Sequence, residues 1–109
     1  MADTGRGSIR KYFDLHGIKY DKDAEWEIPC NLIHDGMVLR WCVDAPNCEI
    51  QFNEIVTVEG YHCKKCRQEH YVLVNHVRGL AAPIDAFIVE DIGGRDMLIG
   101  FEVCLGGIQ

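Results

Sequence analysis

The sequence predicts a small α+β protein that is mainly β. Helical spacing is confined to the first 17 residues, apolar side chains recur with period two from Glu27 onward, and Asp-Gly and Gly-Gly turn signals divide that region. The 109 residues suit one domain, 1–109, large enough to bury a core of its own.

Residues 8–16 form the predicted helix: Ser8 caps it, Ile9, Tyr12, Phe13 and His16 share a face, and Gly17 ends it. Residues 20–27 are acidic and carry Trp26, and Pro29 discourages a second helix. Residues 28–33 and 37–43 then read as a β-hairpin around His34-Asp35-Gly36, with Met37, Leu39, Trp41 and Val43 on one face. A further run alternates at Ile50 and Phe52 and continues through Val56 and Val58 to Gly60. Another sets Tyr71, Leu73 and Val77 against His70, Val72 and Val74. The segment 79–83 reads as a joint leading to a closing hairpin. That hairpin spans 84–90, a turn at Asp91-Ile92-Gly93-Gly94, and a strand with Met97, Ile99, Phe101, Val103 and Leu105 on one face.

The net charge of −6 is unevenly distributed. Residues 20–59 hold nine carboxylates against Lys22 and Arg40, whereas residues 60–78 hold Lys64, Lys65, Arg67 and Arg78 against Glu69 alone. Overall acidity argues against a general nucleic-acid coat, because non-specific affinity scales with the number of neutralised phosphates. No apolar run serves as a signal-peptide core or membrane span, so a soluble, cytoplasmic protein without a membrane partner is expected.

In a reducing compartment, six cysteines point to metal ligation or buried thiols before disulfides. Cys42 and Cys48 bracket a turn, and Cys63 and Cys66 bracket Lys64-Lys65. Two turn-borne pairs a hairpin apart can surround Zn²⁺ with four thiolates, a closed structural site. The stretch from Leu39-Arg40-Trp41-Cys42 through Cys63-Lys64-Lys65-Cys66 to Tyr71-Val72-Leu73-Val74 resembles the zinc-ribbon family. The resemblance covers residues 39–74. It implies two cysteine knuckles at hairpin tips around one zinc, in a nucleic-acid-binding or protein-docking module of transcription or replication machinery. The chain departs from that pattern in the five residues between Cys42 and Cys48, and in Glu49 and Arg67, which stand where the family often has Gly. His62 or His70 can replace a cysteine as ligand. Cys30 and Cys104 lie in apolar strand contexts and read as packed thiols.

Three classes of function compete. A Cys-X-X-Cys thiol redox protein fits Cys63 and Cys66 with cationic neighbours, but strand follows Cys66 where a thioredoxin-like site has a helix. A serine hydrolase has only Ser8 to draw on, and no His-X-Glu triplet supports a zinc deaminase. No small-molecule substrate is expected. A nucleic-acid-binding zinc ribbon would use Lys64, Lys65, Arg67 and Arg78 for phosphate contacts with Tyr61 and His70 beside them, and its affinity would fade as salt rises. The favoured reading is a non-catalytic, zinc-stabilised acidic regulator or inhibitor that docks on a larger protein or nucleoprotein machine. Its contacts would be Lys64, Lys65, Arg67, Trp41 and Tyr61, and its acidic span would steer it towards a basic surface. Phage-encoded inhibitors of host or defence systems offer an analogy of class.

Overall fold

The computed structural model describes residues 5–91 and 93–104. It is mostly strand, with one α-helix and three antiparallel sheets, a small α+β fold of mainly β character. The elements are α1 (Gly5–Leu15), β1 (Lys19–Tyr20), β2 (Glu27–Pro29), β3 (Val38–Trp41), β4 (Val43–Asp44), β5 (Ile55–His62), β6 (Glu69–Asn75), β7 (Leu80–Pro83), β8 (Ile88–Glu90), β9 (Asp96–Ile99) and β10 (Phe101–Val103). Short 3₁₀ turns cover Cys30–Leu32 and Ile84–Phe87.

Helix α1 starts three residues before Ser8, which therefore lies inside it rather than at its cap. Its end is as expected. Gly17 takes φ +68°, its N–H bonds Asp14 O, and Ile18 N–H bonds Phe13 O at 2.8 Å, the paired bonds of a Schellman stop. Phe13 is buried against Trp26 and Tyr20, while Tyr12 turns outward.

The five-stranded sheet runs β10-β3-β5-β6-β7, the three-stranded sheet β2-β9-β8, and β1 pairs with β4. The expected hairpin between 28–33 and 37–43 does not form. β2 pairs with β9, residues 30–32 coil into a 3₁₀ turn, and β3 pairs with β5 and β10. Period two specifies the buried face, and Met37, Leu39, Trp41 and Val43 are all buried, but it does not specify the neighbour. Pro29 accordingly sits on an edge strand, where its missing N–H costs no interior ladder bond.

Three further boundaries move. Residues 51–54 form a turn with Asn53 at φ +71°, so β5 begins only at Ile55. Val77 lies beyond β6 and is 99% exposed. The segment 79–83 contributes β7, an edge strand paired to β6, rather than a joint. The closing hairpin is present as β8–β9, but Leu98 is the fully buried residue of β9, whereas Met97 and Ile99 are half-buried. Gly100, at φ +87°, breaks the alternation as the chain leaves the three-stranded sheet and enters the five-stranded one as β10. Leu105 lies outside the described residues.

The core draws on residues from Phe13 to Phe101, with Trp41, Phe87 and Phe101 packed edge-on or tilted at centroid distances of 4.6 to 5.3 Å. Among the described residues, no helix is long and apolar enough to cross a membrane.

Candidate metal centre

Strands β5 and β6 form the longest ladder among the described residues, from Thr57↔Val74 to His62↔Glu69. Its open end is closed by Cys63-Lys64-Lys65-Cys66-Arg67-Gln68. Cys63 N–H bonds Gln68 O at 2.9 Å, and Arg67 N–H bonds Cys63 O at 2.8 Å, which folds the tip back on itself. This fold needs a left-handed residue after Cys66. Arg67 supplies it at φ +61°, the conformation that glycine adopts without penalty. Arg67 thus takes, with a long side chain, a backbone conformation that glycine would take freely.

The tip brings together Cys63, Cys66 and His70, whose donor atoms all lie within 4.8 Å of one another. Cys66 Sγ is 2.8 Å from His70 Nε2. The backbone N–H of Cys66, the Cys66 side chain and the backbone N–H of Lys65 hold the Cys63 thiol below its ordinary value. Amides aimed at one sulfur favour its thiolate, the form that binds metals. The group can hold one metal ion.

Ladder register decides which histidine takes part. Tyr61 pairs with His70, and their rings lie 5.7 Å apart on one face of the hairpin. His62 pairs with Glu69 on the other face, where its Nδ1 meets Glu69 Oε2 at 3.0 Å. His62 thus points away from the cysteines.

The structure does not bring the two cysteine pairs together. Trp41 exchanges backbone bonds with Asn53 and Glu54, which places Cys42 at the start of β5. Cys63 follows the far end of that strand, about ten residues and roughly 30 Å of extended chain away. Cys42 is buried in the core, its Sγ 3.4 Å from Arg40 O, and burial pushes its thiol up to about 11. Cys48 is half-buried against the same core. Burial, reinforced by Asp96 and Asp85, also raises the Cys30 thiol. Burial, reinforced by Glu102, raises that of Cys104. Both are half-buried and outside the ligand group, and Cys30 packs against the core.

Comparison with known protein families, characterised proteins and solved structures finds no match.

Of the expected partner contacts, Tyr61 is 49% exposed, and Lys64, Lys65 and Arg67 are exposed around the cysteines. Trp41 is not available: at 5% exposure it packs against Phe87 and Phe101 in the core. Part of the acidic span is also engaged within the molecule. Asp21, with Glu102 from outside the span, clamps Arg40, Glu54 binds Arg78, and Asp35 accepts the Gly60 N–H at 2.7 Å.

Proposed function

We propose that this chain is a non-catalytic binding protein that presents the β5–β6 tip, held by one zinc ion on Cys63, Cys66 and His70, to a larger protein or nucleoprotein partner as a regulator or inhibitor. The observation that carries this reading is the convergence of two cysteines and one histidine on an exposed, basic hairpin tip. Zinc fits the donor set, since thiolate and imidazole are its preferred ligands. Tetrahedral zinc with bonds of about 2.3 Å to sulfur and 2.0 Å to nitrogen separates those atoms by about 3.5 Å. Cys66 Sγ and His70 Nε2, at 2.8 Å, need to part by under about 1 Å to admit it. The ion would cross-link a tip whose side chains otherwise bury little, fixing Lys64, Lys65, Arg67 and Tyr61 as one surface.

The sign of that surface selects an anionic partner patch. The acidic remainder of the chain disfavours wide contact with nucleic acid, which supports a protein partner. A second reading, short single-stranded nucleic acid, draws support from the exposed Tyr61 ring beside His70 and the three cations.

Affinity capture with the wild-type chain and with Lys64→Ala/Lys65→Ala separates these readings. Loss of a co-purifying protein in the variant, with no nucleic acid retained at physiological salt, is the expected result. Undiminished capture by the variant would remove the tip from the binding surface.

A further inference from the structure

We infer that the metal at the hairpin tip takes an external thiolate as its fourth ligand. The inference rests on the zinc reading above and names the chemistry of what that site receives.

The tip supplies three donors, and a tetrahedral zinc takes four. The adjacent histidine, His62, is turned to the opposite face and bonded to Glu69. Cys42 lies at the other end of β5, and so does Cys48, whose neighbour Glu49 shares Arg78 with Glu54 there. Among the described residues no further Cys, His, Asp or Glu joins the group, and outside them only Asp3 carries a side chain of that kind. The fourth donor therefore comes from outside the folded tip, and the exposure of Cys66 leaves a path for it.

Charge and softness identify that donor. Zinc with two thiolates and one neutral imidazole is electrically neutral, and Lys64, Lys65 and Arg67 surround it with exposed positive charge. A further anion is attracted rather than repelled. Glu69, the carboxylate beside His70 in sequence, is paired with His62. Zinc already bound by sulfur favours a soft thiolate over a carboxylate. As the zinc–sulfur bond forms, the incoming thiol releases its proton to buffer and displaces a solvent molecule. No electron changes hands.

The test uses the full chain loaded with Co²⁺, whose sulfur-to-metal absorption counts thiolates, titrated with 2-mercaptoethanol. The expected result is a saturable rise from the intensity of two thiolates to that of three. Lys64→Ala/Lys65→Ala should weaken the apparent thiol affinity severalfold while leaving cobalt loading intact. If a third-thiolate band is present without added thiol and the protein sediments as a metal-dependent dimer, the inference stands and the source is a second copy of this chain. A bound cobalt whose spectrum ignores the thiol overturns it. So does a third band in the monomer that Cys30→Ser abolishes, because Cys30 lines a small cavity with His70 and would then be the ligand. Failure to bind cobalt at all instead removes the zinc reading on which the inference depends.

Discussion

Replacing Gly100 by alanine is expected to destabilise the protein by about 3 kcal/mol. Gly100 sits at φ +87° where the chain passes from β9 to β10, and an L-residue held in a left-handed conformation costs about 1–2 kcal/mol. A Cβ there would lie 2.3 Å from Trp41 Cζ3 and 2.7 Å from Cη2, far inside contact distance. The indole has little room to step aside, because it packs against Phe87 and Phe101, which also pack against each other. Overpacking of this kind costs about 1–3 kcal/mol. The two contributions total roughly 2–5 kcal/mol, and a loss of about 3 kcal/mol lowers Tm by about 12–24 °C for a domain of this size. Thermal and urea unfolding monitored by tryptophan fluorescence measure it. The double variant Gly100→Ala/Trp41→Leu should lose less than the sum of the single losses, because the smaller side chain makes room for the methyl group. A single-variant loss below about 1 kcal/mol, or strict additivity, would refute the close approach of Trp41 to this corner.

Arg67→Gly relieves the left-handed backbone at φ +61° and is expected to keep the metal with unchanged or slightly higher stability, whereas Arg67→Val should lower metal affinity; a chromophoric chelator competition compares them. Cys63→Ser or excess chelator should lower the melting temperature if zinc binding and folding are coupled, and an unchanged melting curve counts against a structural ion. Glu54 is held below its ordinary value of 4.5, first by its hydrogen bond from Arg78. Its stabilising contribution is thus complete above about pH 4.5 and lost as pH falls through the lower folded value. Glu54→Gln should reduce stability at pH 7 and flatten the acid limb of the stability curve, and parallel acid limbs for the two proteins would contradict this. If the tip reads nucleic acid, Lys64→Ala/Lys65→Ala should lower the salt dependence of binding by a slope of up to about 2.

The elements that were legible in the sequence are those set by local chemistry. The stop at Gly17, the buried face of β3 and the β8–β9 hairpin each follow from spacing and turn residues within a few positions. Strand partnership is not local. Met37, Leu39 and Trp41 declare a buried face but say nothing about β5 and β10 as neighbours, and Gly100 reverses the parity that makes Met97 and Ile99 look buried instead of Leu98. The metal tip divides in the same way. Cys63-X2-Cys66 marks a knuckle from spacing alone, but the choice of His70 over His62 depends on the β5–β6 register. Arg67 looks unsuited to its position until the hydrogen bond from its own N–H to Cys63 O shows which backbone conformation that position demands. Cys42 and Cys48 have plausible ligand spacing, and the antiparallel pairing of β3 with β5 sends them to the other end of the sheet.

Zinc K-edge absorption spectroscopy on protein purified in thiol-free buffer tests the central claim most directly. The predicted first shell holds two sulfurs at about 2.3 Å and an imidazole nitrogen at about 2.0 Å, with Cys66→Ser removing one sulfur and Cys42→Ala removing none. A shell of four sulfurs that loses one in Cys42→Ala, or a protein that retains no zinc, would contradict it.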